Sequence, residues 1–382
     1  MNNNRLEQLD SLRGLASLSV FAHHMWMITP VLPIVFSYSP LRIFVYGHAA
    51  VILFFILSGF VLSLPFLNNK QGSYYGYILK RFCRIYIPYI VSLAIAITLS
   101  VSLHRDGINT LSDWFNQFWN KGLDIDIIKE HIALITNIHT DAYNTVVWSL
   151  IHEMRISIIF PIIMLAIIRY KWSTNLLLCL LLSSIGAMND LFNFEVRNGH
   201  YTSIFDTVHY TSFFIIGALL AKYKEYLTRT FHKLSRINKW ALLIIAMVCY
   251  SYSRIVEVVI HLPFNHIITE YGIAFGSIIV VIMALSSNTF TSFLMRRPII
   301  FIGKISYSLY LYHFVILLSL INLFYGEMPI WLIYVLAFIT TIFVSVLGYY
   351  FVEDPSAKLG RKISRKINLY QLKSKVSVKK GA

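Results

Sequence analysis

Ten apolar runs, most of them long enough to cross a bilayer as a helix, constrain this chain more than any other feature. They cover Leu12–Ile28, Tyr46–Leu67, Ile85–Leu103, Val146–Ile168, Thr174–Phe192, Ile204–Ala221, the shorter Trp240–Ser253, Ile268–Leu285, Ile305–Tyr325 and Ile330–Val352. A hydrocarbon core about 30 Å thick takes roughly 20 mostly apolar residues per helix, and every backbone N–H and C=O within it must be bonded inside the protein. The expected fold is therefore all-α, a polytopic transmembrane helix bundle of about ten spans. Composition agrees: 57% of the 382 residues are hydrophobic and 13% charged, against about 25% charged in a soluble domain. An ordinary soluble enzyme and a disordered chain are both excluded. Arg13 and His23–His24 interrupt the first run and no small-residue cleavage site follows, so it reads as a helix and not a signal peptide.

The distribution of Lys and Arg tests the number of spans, because cytoplasmic loops carry the excess. With the N-terminus cytoplasmic, 24 of the 33 basic residues fall on the inner side and six on the outer, the rest lying in or at the ends of spans. The inner set includes Arg5, Lys70, Lys80, Arg81, Arg84 and Lys222; the outer set is Arg42, Arg105, Lys121, Lys129, Arg197 and Arg254. Both termini are expected in the cytoplasm. The division expected is a membrane domain over residues 1–355 and a basic tail over 356–382, where nine Lys and Arg follow Asp354 with no acid among them. The net charge of +15 thus accumulates at a membrane surface and does not point to nucleic acid. Cys83, Cys179 and Cys249 are too scattered for a disulfide framework or a zinc site, and no metal is expected. The outer loop from His104 to Asp141 carries Trp114, Phe115, Phe118 and Trp119 on one helical face. That patch suits an interfacial helix in the aromatic belt, or a surface on which a sugar stacks.

Ionisable side chains inside spans are costly and mark function by default. Arg13 and His24 lie about 16 Å apart along the first helix and within about 20° of one face, while His23 is off that line. Arg13 also suits a snorkelling anchor. In the fourth span Ser149 and Glu153 share a face, and Glu153 has Arg155, a histidine or substrate hydroxyls as candidate partners. Ser306, Tyr310 and His313 form a polar stripe on the ninth span, and Ser58 is polar within the second. Arg81 and Arg84, three apart, project together as two guanidinium forks suited to phosphate oxygens; as a pair they also suit an orientation anchor. Asp206, His209 and Glu270 are intramembrane candidates without an assignment. These parts fit a group-transfer enzyme and a proton-coupled transporter equally.

Six blocks in order resemble the acyltransferase 3 family, bacterial membrane acyltransferases that O-acylate surface polysaccharides. They are Leu9-Asp10-Ser11-Leu12-Arg13-Gly14-Leu15-Ala16 with His24; Phe54-Phe55-Ile56-Leu57-Ser58-Gly59-Phe60; Arg81-Phe82-Cys83-Arg84; Trp148-Ser149-Leu150 with Glu153; Ile302 to Leu311 with His313; and Val352-Glu353-Asp354-Pro355. Two departures are Ala50, where a glycine is usual, and Met154-Arg155-Ile156 after Glu153. The resemblance implies an O-acetyltransferase of the bacterial inner (cytoplasmic) membrane, with cytoplasmic acetyl-CoA or another acyl-CoA as donor and a hydroxyl of a surface or lipid-linked carbohydrate as acceptor. It implies that Arg81 and Arg84 hold the donor's phosphates and that Arg13 holds a phosphate or orients the thioester. His24 would deprotonate the acceptor or carry the acyl group transiently, Glu153 would orient that histidine or bind the acceptor, and Ser306 or Tyr310 would steady the oxyanion. Some relatives carry an extracytoplasmic hydrolase-like domain; with none following here, acyl handover is expected to finish within the membrane domain. The alternative from another class is a transporter or flippase for a lipid-linked sugar or acyl group.

Overall fold

The computed structural model describes residues 6–29, 39–103, 105, 107–120, 122–255, 259 and 261–380, with side chains to residue 371. Arg5, His104 and Lys121 lie outside the described residues, as do the side chains of the last four tail lysines. Among the described residues there is no strand, and each of the ten apolar runs is a helix. In chain order the helices are α1 (Glu7–Ile28), α2 (Gly47–Leu67), α3 (Tyr74–Leu103), the single turn α4 (Asp113–Asn116), α5 (Ile125–Ala133), α6 (Val147–Arg169), α7 (Trp172–Phe192) and α8 (Ile204–Lys222). They continue with α9 (Lys224–Lys233), α10 (Arg236–Tyr252), α11 (Asn265–Ser286), α12 (Asn288–Leu294), α13 (Arg297–Lys304), α14 (Ser306–Phe324), α15 (Ile330–Gly348) and α16 (Asp354–Lys380). Eight are long and apolar enough to cross a membrane. The two apolar-run helices outside that set are α1, which carries Glu7, Asp10 and Arg13, and α10, whose 17 residues reach about 26 Å.

The polar content of α1 is used in packing. Ser11 Oγ donates to the Leu294 carbonyl at 2.7 Å and Ser17 Oγ to the Ser306 carbonyl at 3.0 Å, so small hydroxyls fasten α1 to α12 and α14. Glycines let backbones touch at two crossings. A Cβ on Gly14 would fall 2.5 Å from the Gly303 nitrogen, and one on Gly303 2.6 Å from the Asp10 carbonyl carbon. Gly59 of α2 meets the Phe214 backbone of α8, and Gly217 of α8 meets the Ile56 and Phe60 backbone of α2, in the same way. The glycines of the first, second and late sequence blocks are thus contact points between helices.

Two boundaries differ from expectation. Helix α3 starts at Tyr74, eleven residues before the apolar run, because its polar first turns are covered by α16. Asn368 Oδ1 accepts from Ser73 N at 2.9 Å and Ser73 Oγ at 2.7 Å, and Gly360 seats against Cys83 and Lys80. Arg81 and Arg84 therefore stand within a long helix. Helix α15 ends at Gly348, and a π-turn over Tyr349–Glu353 leads into α16. The turn lets Glu353 Oε2 accept from Ser308 N at 3.2 Å and Ser308 Oγ at 2.7 Å at the start of α14.

Candidate active site

The bundle encloses a cavity of about 440 Å³ that begins among Lys70, Lys80, Lys304 and Asn368, at the end where α3 starts and α16 packs. Exposed Arg84 also stands at this mouth, and the deeper wall holds Arg13, Ser58, Arg81, Ser149, Glu153, Ser306 and Tyr310, drawn from five helices. A polar network crosses it. Arg81 Nη2 donates to Glu153 Oε1 at 2.7 Å and Arg81 Nε to Ser157 Oγ at 3.1 Å. Ser58 Oγ reaches Glu153 Oε1 at 3.5 Å and accepts from Arg13 Nη2 at 3.2 Å. Glu153 is 21% accessible, so losing Arg81 costs less than the about 3–5 kcal/mol of a fully buried pair, yet Arg81 and Glu153 hold each other in place. Arg84 has no hydrogen-bond or ion-pair partner among the described residues and remains available to a ligand. Arg13, Arg81, Arg84, Lys70, Lys80 and Lys304 outnumber the three acids of the lining, Asp10, Glu153 and Glu353, so the cavity is set for an anion. Ser149 Oγ and Tyr310 OH meet at 2.7 Å, and Tyr310 OH donates to the Val146 carbonyl at 3.1 Å.

His24 and His313 are not in that wall. They form a buried pair of their own, His24 Nδ1 to His313 Nε2 at 2.9 Å, with the Tyr310 ring 6.0 Å from that of His313. Their tautomers follow from one carbonyl. His313 Nδ1 lies 3.1 Å from the Leu309 oxygen, which can only accept, so Nδ1 carries the proton. In the neutral ring Nε2 is then the acceptor, His24 donates from Nδ1, and His24 Nε2 is left with its lone pair. The result is an imidazole whose reactive nitrogen is set by a second imidazole. His23 instead bonds the Val45 carbonyl at 2.9 Å.

The aromatic loop segment departs from both sequence expectations. Only Asp113–Asn116 is helical, and Trp119 has φ 59°. Ser112 ties the segment to the end of α1 through the Ile28 and Met27 carbonyls at 3.1 and 2.8 Å. Phe115, Phe118 and Trp119 are buried, Trp119 Nε1 donates to the Tyr143 carbonyl, and the Trp114 ring stacks 5.5 Å from His24. The patch is a plug over the histidine pair, neither an interfacial helix nor an open stacking face. Arg155 is a second correction, since it does not pair with Glu153. Its guanidinium donates to the carbonyls of Ile135, Thr136, Thr202 and Ser203 and to Thr207 Oγ1, tying two loops to α6. Asp206 belongs to a capping box with Ser203 at the start of α8 and is paired with Arg197. That explains it structurally. Sequence reasoning passed over Lys80 and Lys304 as cavity residues and His48 altogether; charge next to a span gave a signal for the first two, and nothing local did for His48.

A family model described as an acyltransferase domain matches residues 6–350. A provisionally named O-acetyltransferase of Staphylococcus aureus (strain COL) is 23% identical over 386 aligned residues, covering 93% of this chain and 58% of the relative. The O-acetyltransferase OatA of Staphylococcus aureus (strain NCTC 8325) is 22% identical over 381 residues, covering 94% of this chain and 58% of its own. The chain thus spans 58% of the length of these curated relatives. No solved structure matches it. With the family match running from the start of α1 through α15, the chain belongs to the acyltransferase 3 family.

Proposed function

We propose that this chain is an O-acetyltransferase of a bacterial cytoplasmic membrane, crossing it ten times with both termini inside. It takes an acyl group, here acetyl, from cytoplasmic acetyl-CoA and delivers it to a hydroxyl of a cell-surface or lipid-linked carbohydrate on the other side. The observation that carries this reading is the cationic cavity, which begins beside the basic loops at one end and stops at Tyr310, next to the His24–His313 pair. Donor phosphates bind at the mouth, with Arg84 as the free guanidinium and Lys80 and Lys304 beside it. Charge-assisted bonds of this kind contribute about 1.5–3 kcal/mol each before screening. Arg81 acts through Glu153, fixing the wall. Arg13, bonded to Ser58, faces the pantetheine arm and thioester. The thioester reaches the histidine pair past Tyr310 and Ser149, whose hydroxyls must turn from the Val146 carbonyl and from each other to donate to a developing oxyanion.

In the transfer step His24 Nε2 takes the proton of the acceptor hydroxyl as its oxygen bonds to the acyl carbon. The C–S bond breaks and CoA leaves as thiolate, which is protonated from the cytoplasmic side. The imidazolium that forms on His24 is held by His313 and returns its proton to water. A hydroxyl is a weak nucleophile, and a positioned base supplies roughly 10²–10⁴ in rate. The test is release of free thiol from acetyl-CoA by the purified protein supplied with cell-envelope glycan. An acyltransferase liberates CoA in proportion to ester formed; a flippase or transporter liberates none.

A further inference from the structure

One cluster of titratable groups takes no part in the reaction drawn above. Glu270 of α11 is fully buried, and both of its oxygens are bonded. Oε1 meets His48 Nε2 at 2.6 Å and accepts from Tyr210 OH at 3.2 Å; Oε2 meets His209 Nε2 at 2.5 Å. His209 Nδ1 continues to Ser183 Oγ at 2.8 Å. His48 is the member that reaches open space, its side chain 21% accessible against 2% for His209. A carboxylate only accepts, so His48 carries a proton on Nε2, and the neutral ring presents a lone pair on Nδ1. That atom has no hydrogen-bond partner among the described residues.

The surroundings identify what such an atom would meet. The His48 ring is parallel to that of Trp148, 5.9 Å away, and 5.7 Å from Tyr201; His200 stands edge-on to Trp148 at 5.6 Å. His200, in the loop before α8, is exposed and completes this face. The wall is aromatic with one fixed acceptor, and the cation over the Tyr201 ring, Arg197 at 5.7 Å, is already paired with Asp190 and Asp206, which suits a sugar ring and a donating hydroxyl better than a phosphate or a carboxylate. It also lies beside the proposed reacting imidazole. A Cβ on Gly47 would fall 2.7 Å from the His23 ring, which is itself 5.7 Å from that of His24.

We propose that His48, oriented by Glu270, forms the acceptor subsite: its Nδ1 receives a hydrogen bond from a hydroxyl of the carbohydrate next to the one acylated at His24. The inference rests on the O-acyltransferase reading, and its test has two arms so that each can fail alone. In the first, diethyl pyrocarbonate labelling of the purified full chain is read by mass spectrometry with and without chitotriose, maltotriose or mannotriose. Saturating sugar of the accepted type protects His48 from labelling, in the absence of any donor. In the second, acetyl transfer to the protecting sugar is measured for three variants. His48→Ala and His48→Gln raise the acceptor KM about three- to tenfold, the loss of one hydrogen bond, and move the acetyl-CoA KM less than twofold. His48→Asn, which places an acceptor atom near the former Nδ1, recovers most of the loss. Rescue by Gln and not by Asn overturns the proposal, because Gln restores only the Glu270 contact, and so does labelling that no sugar affects. Protection of His48 without acetyl transfer in the wild type refutes the enzymatic reading while leaving the subsite standing.

Discussion

Replacing His313 by Ala tests the tautomer argument, because His313 touches no part of the cavity and acts only through His24. In the wild type the His24 Nδ1–H is buried and satisfied by His313 Nε2 at 2.9 Å. Without that acceptor the proton on Nδ1 is stranded, at about 1–3 kcal/mol, and the ring shifts toward the tautomer protonated on Nε2. That form cannot take a proton from a hydroxyl. The reactive population should fall by the same free energy, about 5- to 150-fold in kcat, with the acetyl-CoA KM nearly unchanged. His24→Ala, which removes the base altogether, should cost the full contribution of roughly 10²–10⁴. His313→Gln, whose side-chain carbonyl can accept from Nδ1–H, should recover part of the loss. The assay is acetyl-CoA thiol release coupled to ester formation on a fixed preparation of cell-envelope glycan. A His313→Ala enzyme as active as wild type, or a Gln variant no better than Ala, would refute the relay. Loss equal to that of His24→Ala would mean that His313 itself handles the proton or acyl group.

His23→Ala should retain most activity where His24→Ala loses it, since His23 bonds the Val45 carbonyl and not His313; equal losses in parallel assays would remove the distinction. Arg84→Ala should raise the acetyl-CoA KM with little change in melting temperature, whereas Arg81→Ala takes the ion-pair partner from part-buried Glu153 and should lower stability, by less than the about 3–5 kcal/mol of a fully buried pair. If the two arginine variants show the same stability by thermal unfolding in detergent, the pairing does not carry that weight. Acid should loosen the outer loop through His131, which is buried between Tyr89 and the His139 carbonyl and pushed down to about 4, mainly by burial. Its folded value lies below the ordinary 6.5, so protonation favours unfolding. The stability it contributes is complete above pH 6.5 and is lost as pH falls toward 4, at up to about 1.4 kcal/mol per unit. Thermal melts should show a shallower acid limb for His131→Gln.

Much of the bundle is legible along the chain because lipid leaves the backbone few alternatives: each of the ten apolar runs is a helix, and runs that end in lysine or arginine end where the sequence suggests. The motif glycines are legible as signatures but not as contacts; that Gly14 meets Gly303 is a fact of two helices far apart in sequence. Pairings are where local reading stops. Glu153 stands two residues from Arg155, yet a helix turns those side chains about 200° apart, and the partner is Arg81, on another helix. Trp114 and Trp119 look like one face of a helix, but the turn that Ser112 caps ends at Asn116, before Trp119 with its φ of 59°. Glu270 could be flagged by its cost in an apolar span, but His48 reaches it only through the α2–α11 contact.

The central claim is that an acyl group enters from the side of the cationic cavity and leaves at the side of the histidine pair. Sealed inverted membrane vesicles, with radiolabelled acetyl-CoA added outside and glycan acceptor trapped in the lumen, measure this directly. The account predicts labelled ester on the lumenal glycan, lost on His24→Ala, and none when labelled acetyl-CoA is confined to the lumen. Label that forms only when donor and acceptor share one face would contradict it.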